Sequence, residues 1–240
     1  MGTVFGKQSV AEPAFDVILS KTTGTIPYEI RRYGTRFAAQ VQYTASSDDK
    51  DDGTPFRLLA RYIGVFGKAE NHGETSIAMT APVIKQQQEE KSGGTPIAMT
   101  APVIKAAAGT TSTSTDARVM QFILPDQYTS LEQIPQPTNS AVTIQTIPPA
   151  VGAIHRYNGS FDDKRAHAMA QSLAQQLRED GVTSLGGGDS ESSWVSQHYQ
   201  FYGYNPPFTL PYFRRNEVWL PLTEAQVHRL QQGFNTESAN

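Results

Sequence analysis

Strand, strand, helix and a further strand follow one another twice along the 240 residues, with different residues each time. In the first round Phe15 to Ser20, Pro27 to Tyr33 and Arg36 to Tyr43 are short β-rich runs, and the last two are separated only by Gly34 and Thr35, which predicts a hairpin. Thr54 and Pro55 then read as an N-cap and a first-turn proline. Phe56, Leu59, Tyr62, Ile63 and Phe66 follow at three- and four-residue spacing, an amphipathic helix ended by Gly64 and Gly67. Arg118 to Leu124 is the closing strand. In the second round Ala141 to Ile147 and Val151 to Tyr157 flank the Pro148-Pro149 turn. Asp162 or Asp163 caps a helix with Ala166, Met169, Ala170, Leu173 and Leu177 on one face, and Gly181 closes it. Trp194 to Tyr202 and Asn216 to Leu222 read as strands joined by a proline-rich turn, Asn205 to Pro211, and Thr223 caps a short helix through Gln231. Runs of strands broken by two helices define an α+β domain with an antiparallel sheet and internal pseudo-symmetry.

A second feature cuts across that order. Thr75 to Lys85 and Thr95 to Lys105 are one peptide written twice, differing only at Ser76 and Pro96, with the spacer Gln86 to Gly94 between them. Two copies cannot stack as a solenoid, so the segment is a local duplication. One copy is expected to fill a strand position while the other pairs at an edge or loops outward. With the low-complexity run Ala106 to Thr115 and the patch Ser184 to Ser193, it leaves a single domain over 1–240, with mobile segments near 86–116 and 184–193 and a frayed C-terminus.

Composition narrows the chemistry. The chain has no cysteine, which excludes disulfides, thiolate metal sites and cysteine nucleophiles. A net charge of -3 gives no pull toward nucleic acid or anionic lipid, and an apolar fraction of 38% is enough for a core. No apolar run approaches the roughly 20 residues of a membrane span. The start Met1 to Lys7 lacks a leader pattern, and Gly6 stands where myristoylation of Gly2 would want Ser or Thr, so a cytoplasmic location is expected.

Several segments, taken in order, carry a resemblance. They are Met1-Gly2-Thr3-Val4-Phe5-Gly6-Lys7, Pro27-Tyr28-Glu29-Ile30-Arg31-Arg32-Tyr33, Tyr62-Ile63-Gly64-Val65-Phe66-Gly67-Lys68 and the doubled Ile-Ala-Met-Thr-Ala-Pro-Val from Ile77 and Ile97. Tyr204-Asn205-Pro206-Pro207-Phe208-Thr209-Leu210-Pro211 and Arg215-Asn216-Glu217-Val218-Trp219 complete the set. The chain resembles the SOUL haem-binding protein family, in particular its plant and algal cytosolic branch. That resemblance implies a pseudo-symmetric twisted antiparallel sheet, or distorted barrel, flanked by two helices. It also implies binding of haem or another porphyrin in an apolar cleft beside the first helix. The family's fold is similar as well to effector-binding domains of the gyrase-inhibitory type, some of which are hydrolases.

A porphyrin needs an apolar slot, cations or N–H donors for its propionates, and sometimes an axial ligand. Leu58, Tyr62 and Val65 share a flank of the first helix and can line such a slot, with Arg57 or Arg61 meeting a carboxylate. The same apolar residues would serve equally as core. Met79 and Met99, at one place in the two copies, fill the core or else serve as adaptable walls or soft iron ligands. Arg214 and Arg215, beside Phe208, Tyr212 and Phe213, offer a second cationic aromatic patch, or else a solvated turn with Glu217 pairing to one arginine. An axial histidine near the first helix has been proposed in part of the family. This chain has no histidine before His72, which is the nearest substitute as a metal ligand.

No catalytic residue is assigned, because no nucleophile motif is present. A hydrolase or metal-removing enzyme in the same cleft would need one of Glu29, Glu70, Glu74 or Glu217 buried as an acid or base. A third reading is a protein-interaction module using 86–116 or 184–193. The favoured reading is a carrier or buffer of haem or a related tetrapyrrole that leaves its ligand unchanged.

Overall fold

The computed structural model describes residues 11–44, 53–87, 117–160, 162–185, 190–205 and 209–237. The strands are β1 (Phe15–Lys21), β2 (Tyr28–Tyr33), β3 (Arg36–Thr44), β4 (Val83–Gln87), β5 (Ala117–Ile123), β6 (Val142–Ile147), β7 (Ala150–Tyr157), β8 (Gln200–Gly203) and β9 (Asn216–Pro221). Helix α1 (Gly53–Ile63) precedes β4, while α2 (Asp163–Glu179) and α3 (Glu191–His198) lie between β7 and β8, and α4 (Glu224–Glu237) follows β9. All nine strands form one antiparallel sheet, curled into a half-barrel, in the order β1-β2-β7-β9-β8-β4-β5-β3-β6.

That order reads the same from both sides of the β8/β4 pair once β1 is set aside. The first unit is β2-β3-α1-β4-β5 and the second β6-β7-α2-β8-β9, and each lends its first strand to the other. Thus β2 pairs with β7, and β6 pairs with β3. The predicted hairpin between β2 and β3 is not formed, since β2 lies between β1 and β7, and β3 between β5 and β6. The reason is local. Two-residue hairpin turns of type I′ or II′ need a positive φ, and neither Gly34 nor Thr35 has one, so the chain crosses between the units instead of doubling back.

Helices α1 and α2 end alike. Gly64 (φ 88°) follows α1, with Val65 N–H donating to Ala60 O and Gly64 N–H to Arg61 O; Gly181 (φ 100°) repeats this after α2, through Val182 to Leu177 and Gly181 to Arg178. Each is a Schellman motif in which glycine supplies the left-handed residue. At the start of α2, Asp162 accepts from Arg165 N–H, and before α4 Thr223 and Gln226 cap each other reciprocally. The expected strand from Trp194 is a helix as far as His198, with Ser190 accepting from Ser193 N–H. Its only wholly buried residue is Val195, and Trp194 stacks on His198 one turn later, so contacts at helical spacing win over β propensity.

One face of the sheet carries the helices over two cores. Against α1 lie Phe37, Val41, Met120, Phe122 and Val142; against α2 and α4 lie Ile30, Ala153, Phe201, Val218 and Leu220. Between the cores, buried Lys85 on β4 reaches Asp163 in the first turn of α2, which Arg118 also holds at 2.9 Å. The first copy of the duplicated peptide enters the sheet as the start of β4. Ile77, Ala81, Ile84 and Lys85 are buried, whereas the second copy lies outside the described residues.

Candidate functional site

Among the described residues helix α1 has an uncovered flank. Its inner face, Leu59, Ala60, Tyr62 and Ile63, is buried, and the Tyr62 hydroxyl donates to Pro135 O at 2.8 Å. Burial pushes the Tyr62 phenol well above its ordinary pKa. Tyr62, 1% exposed, is core and presents no surface to a ligand. Leu58 and Met79 are half-buried against that core, and Arg57 and Arg61 are exposed. Arg61 faces Glu70 at 3.6 Å, a loose surface pair. Past the Schellman glycine, Val65 is 50% exposed and Phe66 64%. The equivalent residue after α2, Val182, is buried with Leu185, and α3 packs beside α2. Among the described residues the second unit thus covers the end of its helix and the first does not.

The second sequence patch divides. Phe208 lies outside the described residues. Arg214 donates through Nε to Thr209 O, beside the exposed rings of Tyr212 and Phe213. Arg215 is a framework residue: it holds Glu217 through Nε (2.9 Å) and Nη2 (2.8 Å), reaches Glu12 at 2.6 Å and lies 3.7 Å over the Tyr204 ring. Arg31 and the Tyr204 hydroxyl also donate to Glu217, which is wholly buried. Burial opposes the Arg31 charge, but Glu217, Tyr33 and Glu29 together more than offset it, so its pKa is raised. The end of the turn is tied to the second unit through Gly159 N–H to Pro211 O. His72 is exposed, its main-chain N–H bonded to Gln136 O, and among the described residues no His, Asp or Glu cluster could hold a metal.

The concave face, opposite α1 and α2, holds a cavity of about 930 Å³ that the sequence reading missed, with Gln197 and His198 from the end of α3 also in its lining. Gln40, Gln121, Gln145 and Gln200 project into it from four strands, with Arg36 and the Trp219 ring in its walls. The signal was present as glutamine at alternate strand positions: Gln40 and Gln42 on β3, Gln121 on β5, Gln145 on β6. Polar alternation of this kind ordinarily marks a solvent-facing side, but the curl of the sheet turns these side chains toward one another.

A model of the family described as "SOUL heme-binding protein" matches residues 10–221. The chain belongs to the SOUL haem-binding protein family. No curated protein sequence matches it. Among solved structures it is similar to the EcmrR C-terminal domain, with 9% identity and a TM-score of 0.50 over 86% of this chain and 99% of that one. It is also similar to a hydrolase encoded by lin2189 from Listeria innocua, with 11% identity and a TM-score of 0.48 over 86% and 94%. At these identities the likeness is one of fold. No helix among the described residues is long and apolar enough to cross a membrane.

Proposed function

We propose that this protein binds haem or a related tetrapyrrole on the open flank of α1 and carries or buffers it in the cytoplasm without transforming it. Family membership supports the ligand class. The observation that carries the location is the asymmetry between the units, in which Val65 and Phe66 stay exposed where Val182 is buried. Leu58 and Met79 extend the apolar strip, and Arg57 and Arg61 supply cations at its border for propionates. Tyr62 contributes from beneath by holding α1 to Pro135. The enzyme alternative finds no support in Glu217, a buried acid whose acceptor positions are taken by Arg31, Arg215 and Tyr204.

The test compares haemin with its dimethyl ester on Arg61→Ala. The fold should be nearly unchanged, because an exposed arginine alters stability by about 0.5 kcal/mol or less. Haemin affinity should fall about tenfold or more, the worth of a charge-assisted contact of roughly 1.5 to 3 kcal/mol, while the ester is unaffected. An equal loss for both ligands means the side chain packs on the ring. No loss for either removes the site from this flank.

A further inference from the structure

The cavity on the concave face has the wrong chemistry for a porphyrin ring and the right chemistry for something else. Amides that lose water without gaining partners are costly to bury, so a wholly apolar disc is a poor occupant for walls built from Gln40, Gln121, Gln145 and Gln200. These amides are also organised. Gln121 donates to Gln40 at 2.8 Å across β5 and β3, and Gln200 accepts from the buried Tyr202 hydroxyl at 2.8 Å, which leaves the Gln200 amide NH₂ to a guest.

Charge gives the second constraint. Among the described residues that line the cavity there is no Asp or Glu, and Arg36 is the one permanent cation. Arg36 is 7% exposed, lies 4.3 Å over the Tyr33 ring, and has two guanidinium nitrogens, Nε and Nη1, with no hydrogen-bond partner. Among the described residues no carboxylate pairs with it, unlike Arg31 and Arg215 on the same sheet. A buried guanidinium with unfilled donors and no counter-ion is an incomplete arrangement, and an incoming anion completes it.

We infer that the concave cavity is a second binding site, separate from the flank of α1, for a hydroxylated organic monocarboxylic acid whose carboxylate pairs with Arg36 and whose hydroxyls meet the glutamine amides. The volume suits a rigid body of several rings, within the 300 to 1,000 Å³ range of small-molecule pockets. The apolar wall of Ile84, Ile147 and Trp219 would take the side of such a body that carries no hydroxyl.

Cholate, kept below its micellar concentration, is a suitable probe. It has one carboxylate, hydroxyls on one face and an apolar opposite face, and its methyl ester differs only in lacking the charge. Binding is read from the indole N–H signals of ¹⁵N-labelled protein, which has two tryptophans, assigned through Trp194→Phe. The expected result is saturable one-to-one binding that moves the Trp219 signal. Arg36→Gln should weaken cholate at least tenfold and leave the ester unchanged, and Arg61→Ala should change neither. Gln145→Leu, on an edge strand, provides a second variant should Arg36→Gln fold poorly, and it should weaken both ligands. The inference is overturned if cholate does not saturate, if the ester binds as well as the acid, or if Arg61→Ala removes the binding. Haemin binding at α1 can fail or succeed without affecting any of these readings.

Discussion

Gly152 lies directly beneath the indole of Trp219: a methyl group built on Gly152 would come within 2.4 Å of the Trp219 ring carbon Cε2 and 2.5 Å of Leu220 O. Glycine is required here because a ring and a neighbouring strand occupy the space of a side chain, although its φ is ordinary. The contact sets the indole against β7 and so shapes one wall of the concave cavity.

Gly152→Ala should therefore destabilise the protein by about 1 to 3 kcal/mol, the usual cost of overpacking a tight site. Urea unfolding gives the value. Adding Trp219→Phe should recover part of the loss, since it removes the nearest ring atoms but leaves Leu220 O in place. Fully additive losses would show that the two residues do not meet as described.

Glu217→Gln should cost about 3 kcal/mol or more, because it leaves the guanidinium groups of Arg31 and Arg215 without their shared buried carboxylate. Arg31→Met combined with Glu217→Gln should cost less than the sum of the two single changes. A neutral Glu217→Gln would mean that Glu29 and Glu12, which also touch these arginines, suffice alone.

The duplicated peptide makes a reciprocal prediction. Deleting 88–105 leaves β4 intact. Deleting 75–94 removes the copy found in the sheet but delivers Ile97, Ala101, Ile104 and Lys105 in place of Ile77, Ala81, Ile84 and Lys85. Both variants should fold and melt within about 4 °C of the parent, a span of roughly 1 kcal/mol in a chain of this size. Failure of the second deletion alone would show that the second copy, with Pro96 for Ser76 and no counterpart of Gln86 and Gln87, does not replace the first.

His155 is buried on β7 with its Nδ1 2.7 Å from Pro27 O. Burial lowers its pKa, and the bond to the carbonyl opposes this only in part. In the unfolded chain a histidine titrates near about 6.5. As pH falls below that value the unfolded state gains a proton that the folded state excludes, so stability declines toward the lowered folded pKa. Between pH 7.5 and 5.0 the parent should lose more stability in urea than His155→Gln does; equal losses would place a proton on the folded histidine.

Much of the fold was legible because its signals are local. Gly64 ends α1, and Asp162 and Gly181 bracket α2, by their backbone preferences, and both apolar stripes have the period of a helix; the start of α1 was legible only approximately, since the helix begins at Gly53 and the expected cap Thr54 lies within it. What was hidden is non-local. Nothing in Tyr33-Gly34-Thr35-Arg36 says that β2 will seek a partner more than a hundred residues away, and the β-rich text of Trp194 to His198 became helix because Val195 had a core to enter. The site divides in the same way. The shared flank of Arg57, Leu58 and Arg61, proposed for the ligand, was legible from helical spacing, while Arg36, Gln40, Gln145 and Trp219 come together only through the curl of the sheet.

The exchange of first strands has a consequence for how the chain is made. Residues paired between β2 and β7 lie from 117 positions apart, Tyr33 with Ala150, to 125, Glu29 with Ile154. A ribosome releases β2 long before β7 exists, and contacts of such separation form late. Until then β1 and β2 can pair only with each other, as a two-stranded ribbon with an open edge, a form marginally stable at best. The N-terminal unit gains its final neighbours only after the second unit has been synthesised.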